Sequence, residues 1–185
     1  MVILTGRWAS VNGGPPILTA IDPEETDALR GLAHRRTVLE IGSAYGYSAI
    51  LMAKAGARVT TVDPHAGENP GSLERLQDNI DAYRFRNRID PIVATSQYAL
   101  PELKRSGRRF DLVFVDGDHS TAACWHDATV GWELLRPGGH LACHDYQEAS
   151  CPGVTEALDG IWPGGPDGLV GSLWIKQKEA TDEAV

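Results

Sequence analysis

From Thr37 to Gln177 the chain alternates between two hydrophobic periods. Short, β-rich apolar runs take turns with longer segments whose apolar positions recur every three or four residues. The runs "TVLEIG" (37–42), "RVTTVD" (58–63), "IDPIVA" (89–94), "FDLVFVD" (110–116), "HLACHD" (140–145) and "LVGSLWIKQ" (169–177) predict strands, the third weakened by Pro91. Between them lie helical patterns. "DPEETDALRGLAHR" opens with Asp22 as N-cap, Pro23 at the first helical position and Glu25 completing a capping box. "SAILMAKAGA" is stopped by Gly56. "SLERLQDNIDAY" places Leu73, Leu76, Ile80 and Tyr83 on one face. Residues 121–135 do the same with Cys124, Ala128, Gly131 and Leu135, and "RPGG" ends them. "PGVTEALDGI" carries Val154, Ala157, Leu158 and Ile161 and is halted by "PGGP". Residues 1–21, with Gly13, Gly14, Pro15 and Pro16, are expected to be irregular, and residues 179–185 to fray. Strands alternating with helices predict an α/β fold with a doubly wound parallel sheet, in one domain over residues 1–185.

Such a sheet binds ligands beyond the carboxyl ends of its strands. There the chain concentrates ionisable groups: "VDGDHS" brings Asp116, Asp118 and His119 to the end of the fourth strand, and "CHDY" brings His144 and Asp145 to the end of the fifth. Neighbouring strands lie ~4.8 Å apart, so if these two are adjacent, Asp116 and Asp145 share one site.

At the end of the first strand, "VLEIGSAYGYS" is a strand, a glycine-bearing turn and a helix start. Gly42 and Gly46 allow tight geometry and close approach of a ligand, and the helix amides face the same crevice. Ala44 replaces the middle glycine of the dinucleotide fingerprint GxGxxG. Asp63, 21 residues beyond Gly42, ends the second strand where an acid binds ribose hydroxyls. Glu40 suits a positively charged ligand and opposes a pyrophosphate.

"LEIGSAYGYS" followed by "VTTVD" resembles the first two motifs of class I S-adenosylmethionine-dependent methyltransferases, and "FDLVFVDGDHS", "LLRPGGHLACHDY" and "PGVTEALDGI" are similar to their small O-methyltransferase branch, which includes metal-dependent enzymes acting on sugars and natural-product hydroxyls. The resemblance covers about residues 22–178. It implies a mostly parallel sheet ordered 3-2-1-4-5-7-6 with an antiparallel strand seven; strand six is very short or missing here. It implies S-adenosylmethionine as cofactor, with Gly42 and the backbone of Ser43, Ala44, Tyr45 and Gly46 at its methionine part, Glu40 near its ammonium and Asp63 on its ribose. Ala94, Thr95 and Ser96 would cover the adenine, and Asp116 would stand beside the cofactor.

At the substrate end, a hydroxyl is a poor nucleophile at neutral pH, and a divalent cation, Mg²⁺ first, lowers its pKa and holds two adjacent oxygens. Asp116 and Asp145 are the candidate ligands. His144 stands where the resembling metal enzymes often carry a second acid, which puts metal use in question or shifts it toward a transition metal. Asp118 is the candidate general base, with His119 beside it.

Composition narrows the classes. The 185 residues are 42% hydrophobic with a formal net charge of −8, enough for one core and opposed to a nucleic-acid track, so the small arginine clusters read as solvated surface. No apolar run approaches the ~20 residues that cross a membrane. Three cysteines without metal spacing, and an opening "MVILTGRWAS" unlike a signal peptide, point to a cytoplasmic, reduced protein. The expected activity is methyl transfer to a small hydroxylated molecule, in a pocket that is open or is completed by residues 1–21 or by a partner subunit of a homo-oligomer. Metal-free N- or S-methylation, and a non-catalytic S-adenosylmethionine-binding module, are the alternatives.

Overall fold

A computed structural model describes residues 6–66 and 71–180. In chain order its elements are β1 (Arg7–Ser10), β2 (Pro16–Thr19), α1 (Pro23–Ala33), β3 (Thr37–Ile41), α2 (Tyr47–Lys54), β4 (Arg58–Asp63), α3 (Ser72–Ala82), β5 (Ile89–Val93), α4 (Ser96–Arg105), β6 (Phe110–Val115), α5 (Thr121–Leu134), β7 (Leu135–Cys143), α6 (Pro152–Ile161), β8 (Gly168–Val170) and β9 (Leu173–Gln177). Seven strands form one sheet in the order β5-β4-β3-β6-β7-β9-β8. The first five are mutually parallel, and β9 runs antiparallel to both neighbours. This is the 3-2-1-4-5-7-6 order that the resemblance implies, with the three-residue β8 as its short sixth strand.

Both sheet faces are covered, which is why the central strands read as nearly continuous apolar runs. Along β6, Leu112 and Phe114 face one layer, formed with α1, α2 and α3, while Val113 and Val115 face the other, formed with α4, α5 and α6. The pleat thus sorts each strand's side chains between two cores.

Three readings are corrected. Residues 7–19 are not irregular: β1 and β2 pair as an antiparallel hairpin, with Arg7 opposite Thr19 and Ser10 opposite Pro16. The physical cause is Asn12-Gly13, both at positive φ, in the loop between two short alternating runs. Ala9 and Ile17 point into the first core, and the Tyr83 hydroxyl pins the loop by donating to Pro15 O while accepting from Val11 N. Second, the run at 169–177 is two strands, because Gly171 at φ +57 opens a two-residue turn between Val170 and Leu173. Third, the pattern predicted no element over residues 96–105, where α4 lies. Pro101 inside it looks like a breaker, yet Ala99, Leu100 and Leu103 are buried on the sheet. Residues 1–5 and most of the tail expected to fray, 181–185, lie outside the described residues.

The strand ends that matter are locked to each other by backbone. Gly42 N donates to Val62 O, Asp116 N to Ile41 O and His144 N to Val115 O. Gly42 has φ +88, and a Cβ there would sit 2.0 Å from Asp116 O, so only glycine lets the turn after β3 pack on the exit of β6. Gly31, by contrast, lies in α1 with no atom within 4 Å of an added Cβ. Gly31→Ala is therefore expected to raise stability by about 0.5–1 kcal/mol, while Gly42→Ala lowers it by ~2 kcal/mol or more. Denaturant melts of the two variants, read for opposite signs, check this.

Candidate active site

The crevice at the carboxyl ends of β3 and β4 is held in shape before any ligand arrives. Asp63 Oδ2 accepts from the amides of Ser43 and Ala44, each at 2.9 Å, and its Oδ1 accepts from His65 N at 2.7 Å. Ala44 stands at φ +42 in the turn so clamped, a left-handed conformation that costs a non-glycine residue ~1 kcal/mol or more. Gly46, also left-handed, is the N-cap of α2, and Asn79 donates to Tyr45 O at 2.9 Å. Thr95 caps α4 at the end of β5, with Ser96 buried behind it.

Glu40 is different. It is fully buried, and neither carboxylate oxygen has a hydrogen-bond partner among the described residues. Burial drives its carboxyl up to about 8, against a modest opposing pull from the nearby Ser48 and Thr61 hydroxyls. Ser43 Oγ and Thr61 Oγ1 are likewise buried without partners. Orphaned polar atoms of this kind call for a ligand or water.

Across the crevice, β6 and β7 are neighbours, and Val115 pairs with Cys143, so their next residues meet. His144 Nδ1 lies 3.4 Å from Asp116 Oδ1 and 3.2 Å from Asp145 Oδ2. The ligand atoms of Asp116, His144 and Asp145 all fall within 4.8 Å of one another. His119 Nε2 is 2.9 Å from Asp145 Oδ2, and Cys151 comes within reach of the same pair. Asp145 stands at φ +62, turning its carboxylate back over the strand ends.

The imidazole of His144 is buried among three carboxylates. Its Nε2 donates to Glu25 Oε2 at 3.1 Å, since a carboxylate can only accept. Burial disfavours the imidazolium, but Asp116, Asp145 and Glu25 outweigh it and raise the pKa strongly. Glu25 itself is held at about 2: burial opposes its charge, and bonds from His144, the Asp22 amide and Ser172 overcome that. Burial also opposes the charge of Asp145, which His119 and His144 nevertheless hold low. The hydrogen bond to Asp145 raises His119. The thiols are pushed up by burial, Cys124 to about 12.

The structure thus brings together Asp116, His119, His144 and Asp145, and separately Glu40, Gly42, the turn 43–46 and Asp63. Asp118, expected as the general base, lines the same cavity as Asp116, His119 and His144, with one of its oxygens engaged in a turn. Its Oδ1 accepts from Ser120 N at 2.8 Å in the turn before α5, and this bond lowers its pKa and its hold on a proton. Sequence reasoning missed Glu25 as a site residue. Its capping-box signal was read correctly, since Asp22 N donates to Oε2 at 2.8 Å, but that signal says nothing of His144, 119 residues away.

A family described as "Methyltransferase domain" matches residues 39–146, well over half of the chain. The chain is 28% identical over 153 residues to a catechol O-methyltransferase of Mycobacterium tuberculosis, covering 74% of this chain and 65% of that one. It is 30% identical over 128 residues to the catechol O-methyltransferase of Sus scrofa, covering 65% and 64%. It therefore spans just under two thirds of the length of these relatives. Among solved structures, an O-methyltransferase of tomaymycin synthesis from Streptomyces achromogenes, in complex with S-adenosylmethionine, superposes with a TM-score of 0.63 at 25% identity, over 80% of this chain and 71% of that one. With the strand order, the glycine turn and the acid-bearing strand ends all in place, this chain belongs to the methyltransferase-domain family of class I S-adenosylmethionine-dependent enzymes.

Proposed function

We propose that this protein transfers a methyl group from S-adenosylmethionine to a hydroxyl oxygen of a small molecule, with a divalent cation held by Asp116, His144 and Asp145. The observation that carries the reading is the meeting of two strand-end carboxylates at one buried imidazole nitrogen, across from a glycine turn with an unpartnered acid. The similarity to catechol O-methyltransferases favours an acceptor with two adjacent oxygens.

The donor set fits a metal. His144 donates a hydrogen bond from Nε2 to Glu25 and leaves Nδ1 aimed at Asp116 and Asp145, the arrangement in which a carboxylate orients a ligating imidazole. One nitrogen and two carboxylates suit Mn²⁺, Fe²⁺, Co²⁺, Ni²⁺ or Zn²⁺ better than Mg²⁺. The cation would hold and acidify the hydroxyl. S-Adenosylmethionine supplies an activated methyl: the new C–O bond forms as the C–S bond breaks, and the electron pair stays on sulfur.

The chain's own residues do the rest. Glu40 lies where the cofactor ammonium would be received, the turn 42–46 presents backbone to the methionine part, and Asp63 keeps that turn closed. Asp63 offers its remaining lone pairs to the ribose, and Thr95 and Ser96 stand at the adenine edge. His119, oriented by Asp145 through Nε2, accepts the hydroxyl proton at Nδ1. The cavity that Asp116, Gly117, Asp118, His119 and His144 help to line is only about 10 Å³, room for about one water. An organic acceptor therefore lies across its mouth.

One observation favours a second reading. Protonated His144 already neutralises the surrounding carboxylates, so metal-free methylation with an internal imidazolium is chemically coherent. Methyl transfer to catechol-like diols in excess chelator discriminates the two. The metal reading expects loss of activity, restored by Mn²⁺ or Co²⁺ more than by Mg²⁺. Asp116→Asn and Asp145→Asn should abolish metal binding by calorimetry while S-adenosylhomocysteine still binds. Undiminished turnover in chelator moves the assignment to the imidazolium. His119→Gln is expected to lower kcat about 100-fold and to remove one limb of the pH–rate profile.

Glu40 yields a pH prediction. With its carboxyl at about 8, the ligand-free protein carries it mostly protonated at pH 7, and stability falls as pH rises from 4.5 through 8 because over that range the unfolded chain has released this proton while the folded state still binds it. An incoming ammonium favours the ionised form. Binding of S-adenosylhomocysteine at pH 7 is therefore expected to release close to one proton. Calorimetry in two buffers of different ionisation enthalpy measures it, and Glu40→Gln should abolish the release and weaken binding about tenfold or more.

A further inference from the structure

We infer that the edge of the sheet opposite the active site carries a second binding site, for a small anion bearing two or more phosphate groups. The parallel strands β5, β4, β3, β6 and β7 all start on this edge, and a cavity of about 460 Å³ opens across their first residues. Six arginines and one aspartate, Asp90, line it, in a chain whose net charge is −8. The arginines come from separate stretches: Arg58 from the start of β4, Arg86 and Arg88 from the approach to β5, Arg108 and Arg109 from the approach to β6, and Arg136 from β7.

Most of these charges are uncompensated. Arg86 pairs with Asp81 and Arg136 with Asp111. Arg58, Arg88, Arg108 and Arg109 make no ion pair among the described residues. Arg88 donates only to Gly56 O and Arg109 only to Arg108 O. Arg108 is held without being neutralised: it donates to Thr60 Oγ1 at 2.6 Å, and its guanidinium lies 5.5 Å from the centroid of the Phe110 ring. All six arginines are exposed, and their gathering around one concavity makes a local positive potential that draws anions.

The chemistry selects the ligand. Guanidinium forks match phosphate oxygens two at a time, so a single phosphate cannot engage four of them. Nearby strand-start amides are already used, Thr37 N by Asp111 and Val59 N by Arg88 O, which leaves recognition to side chains. The cavity is of the size that takes a small ligand. The surrounding acidic protein gives no continuing basic track for a nucleic-acid strand.

The test is calorimetric titration of the full chain with inorganic triphosphate, ATP, inorganic monophosphate and a single-stranded RNA oligomer, at low and at physiological salt. Triphosphate is expected to bind with a stoichiometry of one and to weaken as salt rises, with monophosphate at least about tenfold weaker. ATP binding as tightly as triphosphate identifies the phosphates as the recognised part; tighter binding of ATP adds a contact to its nucleoside. Arg58→Ala and Arg109→Ala should each weaken triphosphate about tenfold, leaving melting temperature and S-adenosylhomocysteine affinity unchanged. No saturable triphosphate binding, equal binding by both variants, or tighter binding of the RNA oligomer through the same arginines would overturn the assignment.

Discussion

A single buried carboxylate organises the active end of the molecule. Glu25 accepts from Asp22 N, His144 Nε2, Ser172 N and Ser172 Oγ, so the start of α1, the end of β7 and the turn between β8 and β9 converge on two oxygen atoms. A buried ion pair is favourable only when its remaining hydrogen-bonding capacity is filled, and here it is filled on the carboxylate side. The packing is close enough that Gly171 admits no side chain: a Cβ would lie 2.6 Å from Glu25 Oε1. The chemical consequence is the orientation of the His144 ring. With Nε2 committed to Glu25, Nδ1 is left as the one group of that ring directed at Asp116 and Asp145, and it has no hydrogen-bond partner among the described residues.

The parallel sheet divides the charge of the chain between its two edges. The carboxyl ends of the strands lie at one edge, and there Asp63, Asp116 and Asp145 collect. Residues that precede strands lie at the other, where Arg58, Arg88, Arg108 and Arg109 collect. Strands of five or six residues are roughly 17–20 Å long, about twice the ~10 Å screening length at 0.1 M salt. The two edges therefore act as independent electrostatic surfaces. In the proposed reading one receives an ammonium, a sulfonium or a divalent cation, and the other receives anions.

The sheet was legible because its strands are buried on both faces and their runs are unmistakable. The acids at strand ends were legible too, since strand termini are the easiest positions to locate when an apolar run stops at Asp116 or Asp63. What escaped depended on other signals. The hairpin hid because its strands are four residues each and its Asn12-Gly13 cue was overshadowed by the adjacent glycines and prolines. The α4 helix hid behind Pro101. Glu25 and the arginine cavity were invisible for a shared reason: each joins residues far apart in the chain, and a helix cap or a scattered arginine pair carries no mark of what it will meet. Asp118 shows a second use for an acid beside a strand end, since its Oδ1 accepts from the Ser120 amide in the next turn.

The crevice also separates two roles that the sequence leaves merged. Both Glu40 and Asp63 end strands beside the glycine turn, and Asp63 has the spacing of a ribose ligand. In the fold, Asp63 already holds three backbone amides and offsets the strain of Ala44. Its first contribution is to preorganise the turn, so little ordering entropy remains to be lost on binding. Glu40 has no such bonds: its oxygens, with Ser43 Oγ and Thr61 Oγ1, are buried and unpartnered among the described residues on this side of the crevice. A buried polar group left unpaired costs about 1–3 kcal/mol, and a ligand that pairs it recovers that amount. If the cofactor is received as proposed, the largest gain on binding lies at Glu40, and Asp63 acts mainly by keeping that position ready.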